Sequence, residues 1–164
     1  MNEAPDRGLS ELYAGLAATF RHPEAGQAHV LAPPEYLAAF DPAVSPDAVS
    51  LHESSYVSCE ASALLEELVR FYEFFGLRRR SEALLPDHLS VELEFMHFLS
   101  AREDAAAEAR ATAALRLAQR DFLDRHLLRL LDAVTDRGGA LDSPAAREAL
   151  EACRRLACHH RELL

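Results

Sequence analysis

Between Glu60 and Phe75 the apolar side chains Leu64, Leu65, Leu68, Phe71, Tyr72 and Phe75 recur at steps of one, three and four, and Gly76 follows where a C′ glycine closes a helix. The same rhythm runs through Leu9, Leu12, Tyr13, Leu16 and Phe20 and stops before Pro23. This is the period of one α-helical face, and the residue types agree with it. The chain has 30 Ala and 27 Leu against seven Val, three Thr and no Ile. Strands favour β-branched residues, whereas Ala, Leu, Glu and Arg favour helix. The 164 residues suffice for one core. The expected fold is all-α, a single-domain globular bundle of about six to eight helices over residues 1–164.

Pro33-Pro34 opens a short helix through Tyr36, Leu37 and Phe40. Residues 41–58 hold Pro42, Ser45-Pro46-Asp47 and several serines with no sustained period. They read as a long loop with one turn of helix, functional or mobile at that length. Leu77 to Leu85, with Arg78-Arg79-Arg80, reads as a connector. Pro86-Asp87 precedes a helix from His88 to Ser100, with Asp87 placed as its N-cap. Leu89, Val91, Leu93, Phe95, Met96, Phe98 and Leu99 cover more than one face of it, so it should be largely buried. An Ala-rich helix, broken at most once, is expected from Asp104 to Asp136 before Gly138-Gly139. Ser143-Pro144 then caps a last helix carrying Leu150, Cys153, Ala157, His160 and Leu164 on one stripe.

Charge and motifs exclude several function classes. The net charge is −10 and all 17 basic residues are Arg. Nucleic acid and anionic membrane surfaces need a basic stripe that this chain lacks. Cys59, Cys153 and Cys158 suit a reducing compartment better than a disulfide framework. MNEAPDRG lacks the pattern of a secretory leader and no apolar run reaches membrane-spanning length, so a cytoplasmic protein is expected. Glu94 and His97 share a helical face, but a di-iron bundle needs a second such pair. Around a helix only Cys153 and His160 share a face while Cys158 and His159 diverge, which predicts a packed Cys and two histidines near the surface rather than a zinc site. No phosphate loop or nucleophile–base pair is present, so no metal, cofactor or enzymatic activity is expected.

One stretch is chemically different. Tyr72, Phe74 and Phe75 end a helix at Gly76, and Pro86-Asp87-His88 begins the next. An aromatic rim would lie there beside an acid, a histidine and the helix acids Glu92 and Glu94. Such a place suits a segment that is both basic and apolar. Equally, Asp87 caps, His88 is solvated and the aromatics are core.

Phe71-Tyr72-Glu73-Phe74-Phe75-Gly76-Leu77 and Pro86-Asp87-His88-Leu89-Ser90-Val91-Glu92-Leu93-Glu94-Phe95-Met96 resemble the FYxxFGL and PDHLxxELEFM signatures of the TorD/DmsD/NarJ redox enzyme maturation chaperones. Leu12-Tyr13 through Pro23 is similar to the family's first helix, and His52-Glu53-Ser54-Ser55-Tyr56 to its YExxY-type segment. Phe122-Leu123 with His126-Leu127 resembles FxxxHLxxW. Leu130 stands where that motif carries Trp, and Leu85 where an acid commonly precedes Pro-Asp-His.

The resemblance implies a cytoplasmic, cofactor-free chaperone, not an enzyme. Its partners would be the apo catalytic subunit of a molybdopterin oxidoreductase and that subunit's N-terminal twin-arginine signal peptide. The chaperone would assist cofactor insertion and prevent premature export. Neither nucleic acid nor membrane insertion is implied, and both monomer and homodimer stay open. The peptide-binding set comprises Tyr72, Phe75, Gly76, Pro86, Asp87, His88, Leu89, Glu92, Phe122 and His126. Chemically, two guanidiniums want the carboxylates of Asp87, Glu92 and Glu94, and the apolar segment wants a groove lined by Tyr72, Phe75 and Leu89. The alternatives are a helical adaptor that recognises no signal peptide and a nucleotide-hydrolysing enzyme.

Overall fold

Tyr13, Ala17 and Phe20 are spaced four and three residues apart, and in the computed structural model they form the buried face of α1 (Leu9–Thr19) and its C-cap. The face is rotated from the expected one: Leu12 is exposed and Ala17 takes its place inside. The structure describes residues 8–24, 26, 28–58, 60–78 and 84–164. Cys59, Arg79, Arg80 and Glu82 lie outside them, as does the segment before Gly8.

The remaining helices are α2 (Pro33–Phe40), α3 (Ala61–Phe74), α4 (Leu89–Asp104), α5 (Ala109–Phe122), α6 (Leu128–Gly138) and α7 (Pro144–Leu163). Among the described residues no strand forms; a lone antiparallel bridge joins His52 and His88. The all-α bundle expected from the sequence is what forms. α4 is its centre, with Leu89, Leu93, Phe95, Met96 and Leu99 buried, and α1 lies along it. Arg21 pairs with Glu94, and the His97 Nδ1–H donates to the Ser10 carbonyl at 2.8 Å. The Glu-x-x-His face therefore ties α4 to α1.

The helix expected from Asp104 begins later. α4 itself runs to Asp104, and the chain re-enters helix at Ala109 after a turn at 105–108. From there helix is continuous to Gly138, but Leu123–Leu127 is a π-helical turn. Phe122, His126, Leu130 and Val134 are buried at intervals of four, with Leu123, Leu127 and Leu131 beside them. In a regular α-helix a step of four residues drifts by about 40°. The wider π turn cancels that drift and keeps both rows inward, with His126 among them.

At α7, Ser143 Oγ accepts the Ala146 N–H at 2.9 Å with Pro144 at the first helical position, as its sequence dictates. Leu150, Cys153, Ala157 and His160 form the inward stripe. His160 is thus not near the surface: it is 2% exposed, and its Nδ1 lies 3.0 Å from the Tyr13 hydroxyl. The long 41–58 loop is pinned by its backbone, with Val49 N–H donating to Ala39 at 2.8 Å and a 3₁₀ turn at Glu53–Ser55.

Candidate functional site

α3 ends in a Schellman motif. Gly76 N–H donates to the Glu73 carbonyl at 2.9 Å and Leu77 N–H to the Tyr72 carbonyl at 3.0 Å, with Gly76 at φ +79°. Tyr72 then reaches across: its hydroxyl donates to the Pro86 carbonyl at 2.7 Å. That bond ties the segment entering α4 to the end of α3.

The start of α4 differs from expectation. The cap is His88, whose Nδ1 accepts the Ser90 N–H at 3.2 Å. Asp87 does not cap because its carboxylate faces the 41–58 loop: Oδ1 accepts His52 Nδ1–H at 3.0 Å and Oδ2 accepts Ser54 N–H at 3.1 Å. Burial would raise the Asp87 carboxyl, but these hydrogen bonds outweigh it and hold the group at about 2. Backbone bonds close the same contact, Glu53 N–H to Asp87 at 2.9 Å and Leu89 N–H to Leu51 at 2.8 Å. His88 is 7% exposed rather than solvated. Burial and the neighbouring His52 push it down to about 4, as an Nδ1 that accepts a hydrogen bond requires.

Beneath this junction lies a buried acid cluster. Glu53 is 1% exposed, and its Oε2 accepts His126 Nδ1–H at 3.1 Å. His126 Nε2 points towards Glu67 at 3.5 Å, and Glu67 pairs with Arg125. Glu92 is fully buried, and neither of its oxygens has a partner of ordinary hydrogen-bond geometry among the described residues. Burial, then the negative charges of Glu53 and Asp87, push its carboxyl well above the usual range. It therefore keeps its proton to higher pH than an ordinary glutamate. Phe95 and Phe122 wall the cluster with ring centroids 4.8 Å apart, and Tyr72 and His126 pack on them at 4.9 and 5.3 Å.

The structure gathers the ten candidate residues into one neighbourhood, mostly as interior. Pro86, Asp87, His88, Leu89, Glu92, Phe122 and His126 are buried, Tyr72 and Phe75 are half-buried, and Gly76 is exposed. Phe75 packs on Phe95 and Phe98. His52, Glu53 and Glu67 complete the polar cluster and were not among the candidates. The His52–Tyr56 motif was the available signal; no periodicity marked it.

Outside this interior, an apolar groove of about 400 Å³ runs between α3 and the segment entering α4, lined by Leu65, Val69, Leu85 and Pro86 with Glu66, Arg70 and Glu73. A separate cleft of about 910 Å³ lies between α2 and the α6–α7 turn, with Glu35, Asp47 and Asp142 on its walls beside Arg137. None of the ten candidates lines that cleft.

The family model described as "Nitrate reductase delta subunit" matches residues 2–136, which include α1, the 41–58 loop and the whole cluster. The chain belongs to that family. The TorD/DmsD/NarJ resemblance points to the same one. This delta-subunit family member is 36% identical over 169 residues to the selenate reductase assembly chaperone protein of Thauera selenatis, covering 89% of this chain and 88% of that one. It is 40% identical over 96 residues to the perchlorate reductase assembly chaperone protein of Dechloromonas aromatica, 57% of this chain and 43% of the relative. Against the dimethyl sulfide dehydrogenase assembly chaperone protein of Rhodovulum sulfidophilum it is 34% identical over 145 residues, 82% of this chain and 51% of the relative. It thus spans nearly all of the first relative and about half of the other two. No helix among the described residues is long and apolar enough to cross a membrane.

Proposed function

We propose that this delta-subunit family member is a cytoplasmic assembly chaperone for the catalytic subunit of a molybdopterin oxidoreductase. It binds the subunit's N-terminal twin-arginine signal segment, holds the apo form while the cofactor is inserted, and so delays export. The observation that carries this reading is the likeness, across almost the full length of both chains, to a relative named as a reductase assembly chaperone. Within the candidate site Glu53, Asp87, Glu92 and His126 are buried and shape the surface above them, while His52 and Glu67 reach its edge.

The signal segment docks on the side of the protein where α3 ends beside the segment entering α4, where Tyr72, Phe75 and Gly76 reach the surface over the buried Pro86. Asp87, His88, Leu89, Glu92, Phe122 and His126 hold that surface in shape from below. The test is co-expression with a tagged apo catalytic subunit, with and without its signal segment. Recovery of a complex that weakens when the segment is removed is the expected result. Recovery that ignores the segment would favour the adaptor reading, and no recovery would overturn the chaperone reading.

A further inference from the structure

Twin guanidiniums need carboxylates, yet the three acids that the sequence offers for them are all engaged or hidden. Asp87 is 0% exposed with a donor on each oxygen, Glu92 is 0% exposed, and Glu94 is held by Arg21. The groove on α3 supplies what they do not. Leu65, Val69 and Glu73 follow one another at intervals of four on α3 and its last turn, and Leu85 and Pro86 form the opposite wall. Glu66 at the rim pairs with Arg70 at 3.3 Å. Glu73 is exposed, and no side-chain partner of its carboxylate is found among the described residues. Phe74, which follows Glu73, is 83% exposed, and Leu84, which precedes Leu85, is 41% exposed, with Leu85 itself at 44%. Single exposed apolar residues are ordinary; a cluster beside a groove marks an interaction surface.

We infer that this groove seats the client's signal segment, with its apolar side chains between Leu65, Val69 and Leu85 and one of its arginines on Glu73. The inference rests on the chaperone reading above and gives its peptide a place. Charge complementarity decides the occupant. A cationic, apolar segment satisfies the free acid and the apolar wall together, as in helix-in-groove recognition. A guanidinium suits it well, because no side chain among the described residues takes the Glu73 carboxylate.

The test is titration of the full chain with two fluorescent synthetic peptides, one with Arg-Arg before a Leu/Ala-rich segment and one with Gln-Gln instead. Glu73→Gln should weaken the Arg-Arg peptide by about two- to fivefold, the range of an exposed ion pair, and leave the Gln-Gln peptide unchanged. Glu73→Arg should weaken the Arg-Arg peptide further. Leu85→Ser should weaken both peptides by a similar factor. Both positions are exposed, so melting curves should match wild type and report any misfolding. If wild type prefers the Arg-Arg peptide and Glu73→Arg keeps that preference intact, the guanidinium goes elsewhere and the inference fails while the chaperone reading stands. If wild type binds neither peptide, signal-segment recognition fails and takes the inference with it. A dimer lost on Leu85→Ser would assign the groove to a second copy and overturn the inference.

Discussion

Asp87 Oδ1 sits 3.0 Å from His52 Nδ1, so the acid of the Pro-Asp-His string joins the 41–58 loop to the start of α4. Its first effect is on the fold. Asp87→Asn puts an amide N–H against one of the two donors and removes the charge that both bonds use. The variant should lose about 1.5–3 kcal/mol of stability in urea denaturation near neutral pH. Sign and window follow from the depressed carboxyl: its contribution is complete above its ordinary value of 3.8 and is lost as pH falls through about 2. The gap between variant and wild type should therefore close in strong acid. An unchanged urea midpoint near neutrality would refute a structural role for the pair.

Glu92 and His88 give stability opposite pH slopes. The Glu92 carboxyl is raised above its ordinary 4.5, so its contribution is complete below that value and falls as pH rises towards the folded-state value. His88 is lowered from 6.5 to about 4, so its contribution is complete above 6.5 and falls as pH drops to about 4. Glu92→Gln removes the first slope without adding a charge. Relative to wild type it should gain stability in denaturant titrations as pH rises above the ordinary glutamate value of 4.5. A difference that stays constant over that rise would mean Glu92 does not titrate with folding.

The buried pair of His126 and Glu53 should behave as a unit. Removing one member leaves the other uncompensated inside the protein, at a cost of about 3–5 kcal/mol. Glu53→Leu and His126→Phe should each approach that figure, while the double variant costs less than their sum by about 1–3 kcal/mol. Strict additivity in the four-variant cycle would show that the 3.1 Å contact carries no coupling.

The helices were legible because their evidence is local. Leu64 and Leu68, Gly76 after α3, and Ser143-Pro144 before α7 each act within one or two turns of chain. The site was legible as a neighbourhood through its motif strings, but not in its geometry. Which residue capped α4 depended on His52 and Ser54, more than thirty residues upstream, reaching Asp87 first. The inward turn of His126 depended on a π-helical turn that a regular period cannot forecast. Glu53 and Glu92 meet only through tertiary packing, and an aperiodic loop carries one of them.

Gly76 offers a cleaner test of the site's frame. A Cβ there meets nothing within 4 Å, so the need for glycine is the left-handed φ of +79° alone. Gly76→Ala should cost about 1–2 kcal/mol by thermal melt, and Gly76→Asn less, because Asn tolerates that region better. Equal melting of all three proteins would mean that the Schellman turn does not set the end of α3.

The hydroxyl of Tyr72 links the frame to the proposed groove. It donates to the Pro86 carbonyl at 2.7 Å, and Pro86 with Leu85 forms the groove's outer wall. Tyr72→Phe keeps the ring against Phe95 and Phe122 and deletes only that donor. A hydrogen bond of this kind contributes about 0.5–1.5 kcal/mol net, so the fold should persist with a modestly lower melting temperature. The wall is then no longer held, and the Leu/Ala-rich peptides should lose affinity whether they carry Arg-Arg or Gln-Gln. The loss should match that of Leu85→Ser in being blind to peptide charge, and differ from that of Glu73→Gln, which is not. A Tyr72→Phe variant that melts lower yet binds both peptides as wild type does would separate the wall from the bond and leave Tyr72 a residue of the core.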